Sequence, residues 1–252
     1  MKTVLITGAG TGIGKASAIR LASEGYAIIL VGRRREPLEA VYEGLQGEGH
    51  LILSVDVSDK AALHKALNSG VMDGRSLHGV YANAGIGGPN EYGEEDRWEQ
   101  IIDINLSGAY YTVKECYPFL KASKSEYRHV LITSSCLARF GVPYYTAYCA
   151  SKSGVTGLVR ALAVEWANDR ILVNAVLPGW VDTEMARAGI QLLADDLGQS
   201  YDQTYLEQMK MVPLQKMSDP QEIAALVAYL FSPDQRSITG QGLDINNGSF
   251  MI

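Results

Sequence analysis

The feature that most constrains this chain is a glycine-rich turn between an apolar run and an amphipathic segment. Residues 2–7 form a short apolar run that predicts a strand buried on both faces. Four glycines follow within residues 8–14, and residues 15–23 carry apolar side chains at a helical spacing. Glycines let the backbone approach a phosphate closely, and the amino end of a helix favours its negative charge. The segment therefore predicts an α/β sheet that binds a dinucleotide beyond its first strand.

Six further apolar runs predict the remaining strands of a parallel sheet, and helical patterns separate most of them. The predicted strands are 27–31, 51–55, 77–82, 129–133, 171–177 and 242–245. We find no repeat and no low-complexity linker, so we expect one domain over residues 1–252.

Composition excludes several classes of protein. With 47% hydrophobic residues the chain can fill a sizeable core, and its net charge of −6 argues against a nucleic-acid surface. No apolar run is long enough to span a membrane. Cys116, Cys136 and Cys149 have no metal-ligand spacing, which predicts reduced thiols in a cytoplasmic protein without a metal site.

The ends of the second and third strands predict which dinucleotide binds. An acidic residue at the end of the second strand would bind the adenosine ribose hydroxyls, but Arg33 and Arg34 stand there. Arginine suits a 2′-phosphate, so the pattern favours NADP(H) over NAD(H); the alternative is a solvated arginine run. Asp56, after the third strand, is expected to accept a hydrogen bond from the adenine amino group, whereas Asp59 is expected to cap the next helix.

Small or polar residues follow the later strands at the same expected sheet edge. They are Asn83, Ala84 and Gly85 after the fourth strand, Ser135 after the fifth, and Pro178, Gly179 and Thr183 after the sixth. We expect the small residues to let a cofactor lie close, and the Thr183 hydroxyl to face a polar ligand group.

Two helical regions carry further expectations. Residues 94–121 predict one long helix in which Trp98 packs in the core. Asn105 lies within its apolar stripe, either as a satisfied core amide or as a bridge to the active site. Residues 185–212 are irregularly amphipathic with few capping signals, which predicts a mobile flap over an apolar substrate; an ordinary pair of surface helices is the alternative.

The central pair of candidate residues is Tyr148 and Lys152. If Thr146 caps a helix there, their spacing of four places both on one helix face. A neighbouring cation is expected to lower the pKa of the phenol and make Tyr148 a usable acid and base. Phe140, Tyr144, Tyr145 and Trp180 add aromatic surface for a substrate.

These motifs resemble, in order along the whole chain, those of the short-chain dehydrogenase/reductase family. The matching segments are Thr7 to Gly14, Asp56 with Val57, Asn83 to Gly85, Asn105 to Gly108, Ser135, Tyr148 to Lys152, Asn174, Pro178 with Gly179 and Thr183, and Ile238 to Gln241. The chain departs from the family at Ala82, where asparagine is frequent, and at Ile245 to Gly248. It also has Thr11 where NADP-preferring relatives often carry a basic residue, so the cofactor prediction depends on Arg33.

The resemblance implies a Rossmann-like doubly wound sheet of order 3-2-1-4-5-6-7 with helices on both faces, and a homotetramer or homodimer formed through the long helices. It implies that Tyr148 is the acid/base, that Ser135 binds the substrate oxygen, that Lys152 binds the nicotinamide ribose, and that Asn105 anchors a relay water. The implied cofactor contacts are Gly8, Thr11, Gly12, Ile13, Gly14, Arg33, Arg34, Asp56, Val57, Asn83, Ala84, Gly85, Tyr148, Lys152, Pro178, Gly179, Val181 and Thr183. The expected substrate contacts are Ser135, Tyr145, Tyr148 and Trp180.

The functional hypothesis is an NADP(H)-dependent carbonyl reductase or alcohol dehydrogenase acting on a small molecule. The alternatives are an NAD-dependent alcohol or cis-diol dehydrogenase, a reductase of 3-oxoacyl groups on a carrier protein or coenzyme A, and a non-catalytic dinucleotide sensor.

Overall fold

A seven-stranded parallel sheet forms the centre of the protein in the computed structural model, which describes residues 2–251. The strands are β1 (Thr3–Thr7), β2 (Ala27–Gly32), β3 (Leu51–Ser54), β4 (Gly79–Ala82), β5 (Arg128–Thr133), β6 (Ile171–Pro178) and β7 (Gly242–Ile245). Their order across the sheet is β3-β2-β1-β4-β5-β6-β7, which confirms the predicted fold class. Because all neighbouring strands are parallel, their carboxyl ends meet at one edge.

Helices connect the strands and cover the sheet. They are α1 (Gly12–Ser23), α2 (Arg35–Tyr42), α3 (Lys60–Leu67), α4 (Trp98–Ile102), α5 (Gly108–Lys121), α6 (Thr146–Glu165), α7 (Glu184–Leu197), α8 (Tyr201–Lys210) and α9 (Pro220–Phe231). A π-helical turn (Asp103–Ser107) joins α4 to α5, and short 3₁₀ turns occupy Cys136–Ala138 and Ala167–Asp169.

Alternate side chains of each strand enter two different cores, because successive residues of a strand point to opposite faces. In β1, Leu5 lies in the core beneath α3, α5 and α6, whereas Val4 and Ile6 lie in the core beneath α1 and α9. All three side chains are fully buried. This explains why the run reads as continuously apolar rather than alternating.

The region predicted as one helix over residues 94–121 begins later and is not uniform. Asp96 accepts a hydrogen bond from the Trp98 backbone N–H at 2.9 Å, and this bond fixes the start of α4. The expectation that Trp98 packs in the core is wrong, since 44% of it is exposed in this chain. The core contact is made by the next turn, where Ile101 is fully buried.

Residues 185–212 form two regular helices rather than an irregular segment. Thr183 and Ser200 cap α7 and α8, and Gly198 ends α7 with a left-handed φ of 63°. Ile190 and Met209 are buried together in a small separate core. The expected lack of capping signals was therefore wrong: Thr183 lies just before the segment, and Gly198 and Ser200 lie between its two helices.

No helix within residues 2–251 is long and apolar enough to cross a membrane. The three cysteines are unpaired. Within the same described residues, no three metal-ligating side chains come together.

Candidate active site

The glycine turn opens α1 toward the carboxyl edge of the sheet. Thr11 precedes the helix but its side chain makes no capping hydrogen bond, and the first turn carries no acidic residue. A Cβ on Gly14 would lie 2.2 Å from the Gly8 carbonyl oxygen, so only glycine fits there. A Cβ on Gly12, whose φ is +51°, would lie 3.0 Å from the Thr183 Cγ2. The backbone N–H groups in the first turn of α1, among them that of Ile13, therefore have no side-chain acceptor. They are free to donate to a bound anion such as a phosphate.

The loop after β4 is fastened to the end of β1. The Thr7 hydroxyl accepts hydrogen bonds from the backbone N–H groups of Asn83 and Ala84, both at 3.0 Å. The Asn83 side chain donates to the Thr7 carbonyl at 3.1 Å. Asn83 is thus a structural brace whose amide is already used, while Ala84 and Gly85 bring bare backbone to the edge.

The structure brings Arg33 and Asp56 together where β2 and β3 end. Arg33 Nη1 lies 3.8 Å from Asp56 Oδ2, and the Arg33 side chain is 59% exposed. The other Asp56 oxygen accepts from the Ser58 backbone and hydroxyl at 2.9 and 2.7 Å. Asp59 caps α3 by accepting from the Ala62 N–H at 2.9 Å, as expected.

The remaining predicted cofactor positions occupy the same edge in different ways. Arg34 is exposed and directly precedes α2, whereas Val57 is buried. The Gly179 N–H donates to the Ile245 carbonyl at 3.3 Å, which ties the turn after Pro178 to β7. Thr183 donates to the Val181 carbonyl at 3.2 Å and accepts from the Ala186 N–H at 3.3 Å. Its hydroxyl thus uses its proton and one lone pair in capping α7, and its second lone pair can still accept from a ligand.

Lys152 and Tyr148 lie one turn apart on α6, as their spacing predicts. Lys152 is 3% exposed, and its Nζ donates to the Thr133 carbonyl at 2.9 Å. The same Nζ lies 5.6 Å from the centre of the Tyr148 ring. A Cβ on Gly85 would come within 3.4 Å of it, so the missing side chain there leaves room beside the ammonium.

The protonation behaviour of this pair differs from the expectation. Burial lowers the pKa of Lys152 to about 8. Burial also raises the pKa of Tyr148 to about 12, although the nearby Ser135 side chain acts in the opposite direction. The expected lowering of the phenol pKa by Lys152 was therefore wrong for the protein's own groups, because desolvation outweighs the other effects.

Ser135 lies beside Tyr148 at the end of β5. It is 7% exposed, and its Oγ accepts from the Leu137 N–H at 3.1 Å, which fixes the hydroxyl at the start of the 3₁₀ turn. The Ser135 side chain lies close enough to Tyr148 to act on the pKa of the phenol, so two hydroxyl groups lie near one point of the edge. Such a pair can hold a carbonyl or alcohol oxygen between them.

Asn105 joins two parts of the site from the π-helical turn. Its Oδ1 accepts from the Ile86 N–H at 2.8 Å, and its Nδ2 donates to the Ile86 carbonyl at 2.9 Å and the Ser151 hydroxyl at 3.3 Å. The Asn105 amide is therefore a satisfied core group, and it also links the loop after β4 to α6, which carries Tyr148. The two alternatives for Asn105 thus apply together. π-Helical turns often occur at functional sites because they redirect one side chain.

The start of α6 is fixed by Asn90, which sequence reasoning missed. Thr146 is the first helical residue rather than the cap, and the preceding Tyr145 makes no side-chain cap. Instead, Asn90 Oδ1 accepts from the Ala147 N–H at 3.0 Å and the Thr146 hydroxyl at 2.8 Å. Asn90 is 3% exposed and lies far from α6 in sequence, so no local pattern could have identified it.

Aromatic and sulfur groups border the approach to Tyr148. The Tyr145 ring lies 6.2 Å from the Tyr148 ring, nearly perpendicular to it. Met185, at the start of α7, lies beside Gly87 and would collide with a Cβ there, which itself would lie 4.0 Å from Tyr148. Trp180 is packed against the α7–α8 core rather than standing free. Met185 was not singled out by sequence, because a lone methionine at a helix start carries no motif.

Comparisons with known proteins agree with this geometry. A family model described as "Enoyl-(Acyl carrier protein) reductase" matches residues 8–249. The chain is 33% identical to the 3-oxoacyl-(acyl-carrier-protein) reductase FabG of Aggregatibacter actinomycetemcomitans over 98% of each chain. It is 30% identical to cyclohexanol dehydrogenase of Acinetobacter sp. strain SE19, over 95% of this chain and 91% of the relative.

Solved structures give the same result. Levodione reductase is similar with a TM-score of 0.89 and 30% identity, covering 98% of this chain and 96% of its own. A variant of actinorhodin polyketide ketoreductase with NADPH has a TM-score of 0.90 and 28% identity, covering 98% and 97%. Family match, identity and fold all extend along nearly the full length, and the protein therefore belongs to the short-chain dehydrogenase/reductase family of oxidoreductases.

Proposed function

We propose that this protein transfers a hydride between NADP(H) and a carbonyl or secondary alcohol, with Tyr148 as the acid/base. The observation that carries the proposal is the meeting of Tyr148, Ser135 and Lys152 at the carboxyl edge, beside an uncapped helix start. The bound cofactor would supply or accept the hydride. The residues of this chain would orient the substrate and move the proton.

The residues present fit a phosphorylated dinucleotide. The uncapped start of α1 suits a pyrophosphate, and the exposed Arg33 suits a 2′-phosphate. Lys152 uses one proton on the Thr133 carbonyl and keeps the others for ribose hydroxyls beyond Gly85. Asp56 keeps one oxygen near Arg33, where an adenine amino group could also donate to it.

The proposed proton transfer follows from the pKa of Tyr148. Because burial raises this pKa to about 12, the phenol is protonated at neutral pH and is ready to donate to a carbonyl oxygen. The Ser135 hydroxyl would hold that oxygen in place. A proton leaving Tyr148 would create a phenolate near the Lys152 ammonium, whose charge stabilises it.

The cofactor part is tested by comparing turnover with NADPH and NADH in wild type, Arg33→Ala and Arg35→Ala. Arg35 is the matched control, since it pairs with Glu39 on α2. We expect Arg33→Ala alone to raise KM for NADPH by about tenfold or more while leaving KM for NADH unchanged. Equal use of both cofactors in wild type would favour the NAD-dependent alcohol or diol dehydrogenase instead.

A second candidate is reduction of 3-oxoacyl groups carried as thioesters, which the relatives named as 3-oxoacyl-(acyl-carrier-protein) reductases favour. Steady-state rates on simple ketones, cyclic ketones, diols, and 3-oxoacyl thioesters with and without a carrier protein distinguish the candidates. A clear preference for the carrier-bound thioester would support this second candidate. Cofactor binding without turnover on any member of the panel would support a dinucleotide sensor.

We also propose that two or four copies assemble through the helices around Asn105 and Lys152. Light scattering during size-exclusion chromatography measures the mass directly, and a mass of one chain would contradict this.

A further inference from the structure

Residues 180–218, which we call the α7–α8 unit, pack mainly on themselves. Helices α7 and α8 contact each other more than any other helix or strand, and Ile190 and Met209 lie in a small core separate from the two cores of the sheet. An open groove of about 440 Å³ lies between the segment after α8 and the segment at the end of β7. Packing across this junction is therefore incomplete, and the hydrogen bonds that cross it matter for how firmly the unit is held.

Asn247, shortly after β7, spans this junction. Its Nδ2 donates to the Lys216 carbonyl at 3.0 Å and to the Ser218 hydroxyl at 3.1 Å. Its backbone carbonyl accepts from the Leu214 N–H at 3.2 Å. Because a carbonyl only accepts, the Lys216 carbonyl fixes which way the amide faces. One residue therefore contacts three points of the segment that leads out of α8.

Ser218 extends this attachment to the other end of the unit. Its N–H donates to the Trp180 carbonyl at 2.8 Å, and its carbonyl accepts from the Asp182 N–H at 2.9 Å. Ser218 is 2% exposed, and the residues that it pairs with lead directly into α7. The two ends of the α7–α8 unit therefore meet at Ser218, and Asn247 joins both of them to β7.

The backbone of Asn247 shows that its side chain has a separate role. Its φ is 54°, in the left-handed region that favours glycine. It lies in the segment where the chain departs from the family pattern. Glycine would fit this backbone without strain, but it could not make the two side-chain hydrogen bonds. The amide therefore serves the attachment rather than the turn.

The attached unit carries a group that borders the candidate active site. The Met185 sulfur, in the first turn of α7, would lie 3.0 Å from a Cβ on Gly87. The same Cβ would lie 4.0 Å from the Tyr148 ring. Met185 and Tyr148 thus border one space beside Gly87, and a movement of the unit would change that space.

We propose that Asn247 is a positioning residue that fastens the α7–α8 unit to β7 and so keeps Met185 in place beside Tyr148. Without its two side-chain bonds the unit would open more often as one piece, while the sheet stays folded. A substrate between the unit and Tyr148 would then bind more weakly. The nucleotide contacts at the glycine turn and Arg33 lie on other elements and would be retained. The effect on substrate rests on the proposed function, whereas the attachment does not.

Hydrogen exchange of the full chain, followed by mass spectrometry without nucleotide, tests the attachment in wild type, Asn247→Gly and Gln215→Gly. Gln215 is the matched control, because it is exposed in the same segment and its φ of 53° is also left-handed. We expect the slowest amides of α7 and α8 to exchange at least about tenfold faster in Asn247→Gly. Amides of β1 and β4 should be unchanged, and Gln215→Gly should match wild type throughout.

A second variant shows whether the side-chain bonds carry the effect. Ser218→Ala removes one of the two acceptors and should accelerate the same amides by a smaller factor than Asn247→Gly. The double variant should exchange no faster than Asn247→Gly, because the two changes break the same bond. Independent, additive effects would overturn the assignment to this bond.

Steady-state rates with NADPH and a reducible ketone test the consequence for the site. In Asn247→Gly the KM for the ketone should rise at least about twofold, because a smaller fraction of molecules holds the unit in place. The kcat and the KM for NADPH should not change, since bound substrate selects the attached arrangement. A general structural defect would instead lower kcat and weaken both substrates.

Two results would overturn the proposal. Unchanged exchange of α7 and α8 in Asn247→Gly, or an equal increase in Gln215→Gly, would remove Asn247 as the attachment. Faster exchange with an unchanged KM for the ketone would remove the link to the substrate. Absence of turnover on every ketone in wild type would contradict the proposed function, and the exchange measurement would still decide the attachment.

Discussion

Replacing Lys152 with methionine should stabilise the folded protein while abolishing its activity. The pKa of this ammonium falls from 10.5 to about 8 because it is buried. A difference of one in pKa corresponds to about 1.4 kcal/mol, so holding the charge in the fold costs about 3 kcal/mol. The variant also loses the hydrogen bond to the Thr133 carbonyl, which costs about 1 kcal/mol and offsets part of the gain. The Lys152→Met variant should therefore be about 2 kcal/mol more stable at neutral pH.

The stability gained in the Lys152→Met variant should disappear as the pH rises. Between about pH 8 and pH 10.5 the unfolded chain holds the Lys152 proton and the folded chain does not. The stability of the wild type therefore increases through this range relative to the variant. The full difference is present below about pH 8, and it is lost as the pH approaches the ordinary value for lysine.

Thermal unfolding without added nucleotide measures both parts, at equal protein concentration. A chain of this length shifts in Tm by roughly 2–4 °C per kcal/mol, so the variant should melt roughly 4–8 °C higher at neutral pH. Lys65→Met on the exposed face of α3 is the control and should not shift by more than about 1 °C. A correctly folded Lys152→Met protein that melts at or below the wild type would refute the reasoning.

Two further predictions follow from the site. The Asn90→Ala variant removes the side chain that caps α6 and should lose about 1 kcal/mol of stability. Its kcat should fall at least about tenfold with little change in KM for NADPH, because the start of α6 positions Tyr148. The control Asn68→Ala loses only an exposed hydrogen bond at the end of α3 and should keep its kcat. Because Tyr148 has a pKa of about 12, the rate of carbonyl reduction should vary little between about pH 6 and pH 8, whereas the rate of alcohol oxidation should rise with pH. Initial rates measured in both directions check this. An oxidation rate that falls with rising pH would contradict it.

The sequence alone predicted those features of the fold that depend on a local pattern of residues. Apolar runs identified the seven strands, most clearly the central ones β1, β2, β4, β5 and β6, which are almost wholly buried, whereas the edge strands β3 and β7 are only partly covered. The four glycines between residues 8 and 14 predicted the turn, and the parallel strands placed Ser135 and Tyr148 at one edge. These predictions hold because burial on both faces and chain direction leave few arrangements.

Properties that depend on remote contacts could not be derived in the same way. Asn90 caps α6 from another loop, and the π-helical turn that directs Asn105 has no periodic signal. The raised pKa of Tyr148 depends on how deeply the phenol is buried, and the sequence shows only that Lys152 lies one turn away. Trp98 was wrongly predicted to pack in the core. Its spacing within an apolar stripe does not show whether other parts of the chain cover it, and they leave it exposed.

The most direct test of the account is the Tyr148→Phe variant, which removes one hydroxyl from the site. Turnover of NADPH with a reducible ketone should fall by at least about a thousandfold, while the Kd for NADPH should stay within about threefold of wild type. Tyr144→Phe is the matched control, since this exposed tyrosine lies just before α6 and outside the site. Full turnover in Tyr148→Phe, with the control unchanged, would contradict the central claim that this phenol supplies the proton.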